Sequence, residues 1–226
     1  MTIYAPPPAP PPPKKRKFGC CGCGCLILGL LLFLFVGLVA GLGYLGYTNM
    51  LAFTSTSPAA IPFFDGSDDL YNTANTKLTA FNHDVLNHQA ATIHLSGDEI
   101  NTLIARDADL RKKNIHLFVT FSDTQARLQS SIPTEALTEN LVKKRYLNAD
   151  ISFGVDFDSA TKALLLELLA AQIGQTDLPK DNLPMVQTEI NPALNAVLRN
   201  DPTMKLLLDQ AKSIEIKDNE LVIVTE

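Results

Sequence analysis

Between Leu26 and Tyr47 the chain carries no charged residue. As a helix rising 1.5 Å per residue, a run of about 22 residues is about 33 Å long, close to the roughly 30 Å hydrocarbon core of a bilayer. A lone segment in lipid must satisfy its own backbone hydrogen bonds, so helix is the form this run is expected to take. A secretory signal also starts basic, but its apolar region spans about 7 to 15 residues and ends at a small-residue cleavage site. Ser57-Pro58-Ala59-Ala60 is the nearest approach to such a site, and it lies ten residues past the run. A lipoprotein signal would place its cysteine after the apolar stretch, whereas all four cysteines here precede it.

The flanks set the direction. Lys14, Lys15, Arg16 and Lys17 stand on the N-terminal side, while the other side has no Lys or Arg before Lys77 and carries Asp65, Asp68 and Asp69. Positive charge stays on the cytoplasmic side, so these four residues are the topology determinants. The expectation is a single-pass protein of the cell membrane with a cytoplasmic N-terminus and an extracytoplasmic C-terminal domain, periplasmic in a Gram-negative cell. Four of the 19 Lys and Arg lie in this patch and all 24 Asp and Glu follow the run, so the remainder carries a net charge of −9. Nucleic-acid binding draws on clustered Lys and Arg to release counterions, and an acidic body excludes it.

Cys20, Cys21, Cys23 and Cys25 fall within six positions. Zinc ligands come as short pairs a dozen or more residues apart so that the chain can wrap the ion, which argues against a metal or redox site here. Two readings stand: small residues where a membrane helix begins in a reducing compartment, and S-acylation beside a polybasic stretch. Ahead of them, Ala-Pro-Pro-Pro-Ala-Pro-Pro-Pro-Pro at 5–13 is restricted to extended polyproline II, either a stiff solvated tail or a ligand for an aromatic groove. Gly37 and Gly41 have the spacing that lets two membrane helices approach closely, a homodimer contact, although glycine is frequent in such helices in any case.

This divides the chain into a cytoplasmic tail over 1–25, a transmembrane helix over 26–47, a linker over 48–66 and an extracytoplasmic domain over 67–226. The outer domain holds no cysteine, so it folds without disulfides. Ser67 caps an amphipathic helix that buries Leu70, Ala74, Leu78, Phe81 and Val85. Ser96 and Glu99 have capping-box spacing at the start of a second. Residues 114–121 and 145–158 alternate apolar and polar, the signature of strands with one wet face; Ala126–Ile132 pairs with the first across Ser122–Gln125. Ala163–Ala170 suits a strand or a leucine-striped helix, and the preceding turn favours strand. Asn191-Pro192 and Asp201-Pro202 read as two helix starts, and the chain closes in a hairpin around Asp218-Asn219. The fold class is α+β: a mostly antiparallel sheet with helices packed on one face.

A membrane run, a helix opening Leu-Ser-Gly-Asp-Glu-Ile-Asn-Thr-Leu-Ile with the Ile100-Asn101 pair, and an apolar strand closing on Ile173-Gly174 with Leu178-Pro179 following resemble the YpmS-like family. That resemblance implies an anchored extracytoplasmic domain of unassigned activity and transfers no catalytic residue.

The chemistry-bearing residues are scattered. His83, His88, His94 and His116 lack the i, i+4 companion of a helical metal pair. Asp156 and Asp158 read either as an acid–base pair or as the polar face running into a turn, and 65–69 lacks the spaced ligands of a calcium loop. Arg111-Lys112-Lys113 and Lys143-Lys144-Arg145 sit where a helix ends and a strand begins, as solvated ends or an anion site. No cofactor is expected. A non-enzymatic module binding protein partners in the envelope leads; a binder of lipid or another apolar ligand, suggested by the leucine-rich strand, and a carboxylate hydrolase follow.

Overall fold

The computed structural model describes residues 53–62, 64–137 and 144–226. The apolar run and the tail before it lie outside these; among the described residues no helix is long and apolar enough to cross a membrane. The fold is α+β with antiparallel sheets and helices, in the order α1 (Asp68–Leu86), β1 (Thr92–Ser96), α2 (Gly97–Arg106), α3 (Ala108–Lys112), β2 (His116–Ser122), β3 (Gln125–Pro133), α4 (Thr134–Leu137), β4 (Tyr146–Asp158), β5 (Ala163–Ile173), β6 (Thr176–Asp177), a 3-10 turn (Lys180–Asn182), α5 (Leu183–Asn200), α6 (Pro202–Gln210), β7 (Ala211–Lys217) and β8 (Glu220–Thr225).

The local signals act as expected at several points. Ser67 Oγ accepts from the Leu70 amide. Ser96 Oγ accepts from Glu99 N at 3.2 Å while Glu99 Oε2 accepts from Ser96 N at 2.9 Å, a complete capping box. Glu99 is only 4% exposed, and its charge is met by Lys77 Nζ at 2.7 Å. The residues 163–170 form a strand, as the turn before them requires. Asp218 and Asn219 have φ of 54° and 64°, the pair of positive values that a two-residue type I′ hairpin needs.

Two sheets stand where one was expected. The strands β2-β3-β4-β5-β6 form a five-stranded sheet, and β1-β8-β7 a separate three-stranded one. The closing hairpin pairs with β1, Thr92 opposite Val224 through Ser96 opposite Glu220, because β1 precedes α2 and lies where β8 returns. One face of the larger sheet is buried by Val119, Leu128, Ile132, Ile151, Leu164 and Leu166, each 2% exposed or less. β7 lies against β4, and α5 against β5.

The edges of these sheets carry the main correction. Asn191-Pro192 does not begin a helix: α5 starts at Leu183, with Pro184 in its first turn, and Pro192 lies in its interior. A proline there removes a helical hydrogen bond and costs about 3 kcal/mol. The Asn191 side chain turns outward to the bare edge of β5. Its Oδ1 accepts from Leu166 N at 3.0 Å and its Nδ2 donates to Leu166 O at 3.2 Å. Asn195 does the same for Leu164, at 2.9 and 2.8 Å, and Gln187 Oε1 accepts from Leu168 N at 3.3 Å. Four helical residues rise about 6 Å and two strand residues about 6.7 Å, so amides at i, i+4, i+8 meet alternate strand residues. The β2 edge is closed in the same way: buried Asn101 donates to Val119 O at 2.7 Å and accepts from Val119 N at 2.8 Å. On β1, the His94 carbonyl accepts from Lys77 Nζ at 3.1 Å.

Replacing Asn191 by Ala should orphan both Leu166 backbone groups and cost about 2 kcal/mol, read as a fall in the urea midpoint of the chain from Phe53 to Glu226. Asn191→Asp keeps the acceptor and should lose about half as much. Ser96→Ala should cost about 1 kcal/mol by the same titration; no change would show that the capping box contributes nothing.

Candidate functional site

Residues 54–62, read from sequence as part of a linker, are fastened to the large sheet. Ser55 and Tyr146 exchange two backbone hydrogen bonds of 2.8 Å. Arg145 Nε donates to Thr54 Oγ1 at 2.6 Å, and its guanidinium also donates to the Thr54 carbonyl. Asn148 Nδ2 donates to Ser57 O at 3.1 Å, while Ala59 N donates to Asn148 Oδ1 and to Ser131 Oγ. The strap therefore runs from the start of β4 across β3 toward β2. Serine and threonine in a stretch without periodicity look like loop; their partners lie 70 to 90 positions away, which no local pattern reveals.

Where the strap leaves the sheet it forms one wall of an open cleft of about 1000 Å³, whose other walls are α1, the end of α2 and the start of β2. Ile61, Phe64 and Ile104 supply apolar surface there; Arg106, Arg111 and His116 supply polar groups. Arg106 is held in place: it donates to Asp68 Oδ1 at 2.6 Å and to Gly66 O at 2.9 Å, and lies 4.9 Å over the Tyr71 ring. The His116 ring is 3.2 Å from Asn114 Oδ1. Gly66 is required where the strap meets α1, because a Cβ at this position would stand 2.0 Å from Thr102 Oγ1, and Thr102 is fully buried.

The remaining face of the five-stranded sheet is mostly polar over its middle, with Phe118, Ala170 and Leu165 among its polar residues. Arg127 grips Asp150 with both prongs, Nε to Oδ1 at 2.7 Å and Nη2 to Oδ2 at 2.5 Å, and Gln129 adds a third hydrogen bond at 3.2 Å. Hydrogen bonding from Arg127 outweighs the effect of burial and holds the Asp150 carboxyl below its ordinary range. The same contact raises the Arg127 guanidinium.

The sequence candidates separate accordingly. Lys14, Lys15, Arg16, Lys17, Cys20, Cys21, Cys23, Cys25, Gly37 and Gly41 lie outside the described residues. Asp156 and Asp158 do not converge as an acid–base pair: Asp156 accepts from the next amide, that of Phe157, and Asp158 closes the β4–β5 turn through Thr161 Oγ1, Ala160 N and Thr161 N. Those hydrogen bonds, the Thr161 hydroxyl first, hold the Asp158 carboxyl low. Asp68 pairs with Arg106, so 65–69 is a helix start tied to α2. No group of three or more His, Cys, Asp or Glu that could hold a metal ion occurs among the described residues. No family model matches the chain, and no curated protein matches it.

Gly66→Ala should lower the urea midpoint markedly and expose the strap to limited proteolysis at 54–62; an unaltered cleavage pattern would mean that the strap does not depend on this packing. Because the folded Asp150 pKa lies below the unfolded one, its contribution is present above the unfolded value near pH 4 and is lost as pH falls through the folded value. Arg127→Met should therefore flatten the fall in stability below about pH 4, as measured by urea midpoints across that range.

Proposed function

We propose that the protein is a single-pass, membrane-anchored extracytoplasmic module, non-enzymatic, that binds protein partners in the cell envelope. The anchor is the uncharged run over 26–47, and the orientation follows from Lys14, Lys15, Arg16 and Lys17 against an acidic far flank. The likeness to YpmS-like domains agrees with this arrangement.

The observation that carries partner binding is the open polar face of the five-stranded sheet. Thr120, Arg127, Gln129, Asp150, Ser152 and Gln172 stand on neighbouring strands at alternate positions, in the register Thr120–Arg127–Ser152–Ala170 and Phe118–Gln129–Asp150–Gln172. A flat array of donors and acceptors on a rigid sheet offers a protein surface the direct hydrogen bonds that interfaces carry. Of the leucines that suggested an apolar ligand, Leu164, Leu166 and Leu168 are buried in the core, 5% exposed or less, while Leu165 is exposed and Leu169 half-buried on the opposite side of the strand.

Two measurements test the proposal in the full chain. With the four native cysteines changed to serine, a cysteine at exposed Ser159 should react with an impermeant maleimide in intact cells; protection there would reverse the topology. A photo-crosslinking residue at Ser152 should give discrete light-dependent adducts in native membranes, and their absence would remove the partner-binding reading.

A further inference from the structure

Basic residues more than 30 positions apart in sequence come to one end of the sheet. Arg111, Lys112 and Lys113 lie two residues ahead of β2, and Lys144 and Arg145 immediately precede β4. β2 and β4 are parallel neighbours of the intervening β3, with His116 opposite Ser131 and Tyr146 opposite Pro133, so both starts lie at the same end of the sheet. The strap runs close to both groups: Arg145 binds it at Thr54, and Arg111 lines the cleft that residues 58–62 wall on another side. Arg111, Lys112, Lys113 and Lys144 are exposed and form no ion pair among the described residues.

The same end is where the chain arrives from the apolar run. Thr54 is 9% exposed and fixed by Arg145, and six residues separate it from Tyr47. A fully extended chain covers at most about 3.6 Å per residue, so Thr54 lies within about 25 Å of the end of that run. The other end of β4, thirteen residues away, is about 40 Å further along. That far end is acidic, with Asp123, Asp156, Asp158, Asp209, Asp218 and Glu226 against Lys162, Arg199, Lys205 and Lys217. Near the strap, Asp109 and Glu135 stand among these cations, Asp65, Asp68, Asp69 and Asp107 lie around the same cleft with Arg106, and Lys180 stands between Asp177 and Asp181. A body with net charge −9 after the apolar run nevertheless presents four exposed cations, Arg111, Lys112, Lys113 and Lys144, together at the strap end.

We infer that the rim formed by Arg111, Lys112, Lys113 and Lys144 seats on anionic lipid headgroups of the bilayer in which the chain is anchored, holding the large sheet upright with its acidic end outward. This rests on the membrane-anchored reading above. Basic residues close to an anionic surface each add attraction that fades within a Debye length, and a short strap keeps these within that distance.

The test uses the full chain with its four cysteines changed to serine, reconstituted into phosphatidylcholine vesicles with and without phosphatidylglycerol. A donor dye is placed at Ala108→Cys, near the basic rim, or at Ser159→Cys, at the far end, with an acceptor dye on the lipid headgroups. Energy transfer from position 108 should exceed that from 159 severalfold on anionic vesicles. It should fall toward the value at 159 on neutral vesicles, in high salt, and in a Lys112→Glu, Lys113→Glu, Lys144→Glu variant whose urea midpoint is unchanged. Equal transfer from both positions, or transfer from 108 indifferent to lipid charge, salt and charge reversal, overturns the inference while the chain stays in the vesicle pellet through an alkaline wash. Release of the chain by that wash overturns the anchor itself, and the inference with it.

Discussion

A strand at the edge of a sheet presents alternate N–H and C=O groups that must find partners, and an unpartnered edge is a template for pairing with other chains. This protein closes its edges with side chains from its own helices. Gln187, Asn191 and Asn195 run along β5, Asn101 seals β2 at Val119, and Lys77 covers the β1 carbonyl at His94. The approximate match between four residues of helix and two of strand lets one helix serve several strand positions without bending. The arrangement also sets where the helices lie. α2 and α5 are held at opposite edges of the large sheet, their apolar faces turned into the core and their amide rows toward the backbone.

Fixing the helices at the edges leaves one face of the sheet bare, and the strap takes one end of it. Covering Ser131 and occupying Asn148 and Arg145, the strap joins the direction of the incoming chain to the direction of the strands. These hydrogen bonds give residues 54–62 one fixed path along the end of the sheet.

Legibility in the sequence followed the range of the interaction. Ser67 and Ser96 as caps, the turn over Ser122–Gln125, and Asp218-Asn219 as a hairpin are local, because the residues that signal them also make the hydrogen bonds. The alternation in β4 was equally plain, since one buried face writes itself into every second residue. Asn191 misled for a physical reason: a capping side chain before a proline suits a helix start, and only the presence of β5 alongside makes the same amide worth more as an edge partner inside a helix. Pro184, in the true first turn of α5, was the available signal. The strap and the convergence of Arg111, Lys112 and Lys113 with Lys144 and Arg145 were not readable, since both depend on pairings between residues far apart in the chain. The assignment of the last hairpin to a second sheet likewise depends on where β1 lies, which no run of residues in the hairpin encodes.

The order in which caps and edges appear along the chain differs between the two sides of the sheet. Asn101 precedes β2, so when that strand leaves the ribosome its cap already exists. For β5 the order is reversed: the strand ends at Ile173, and its last amide partner is Asn195. At about 5 to 20 residues per second, that interval lasts about 1 to 4 s. During it a leucine-rich strand has an open edge and no helix to close it. The nascent chain therefore passes through an interval of vulnerability to association with its neighbours, set by the spacing between a strand and the helix that follows it.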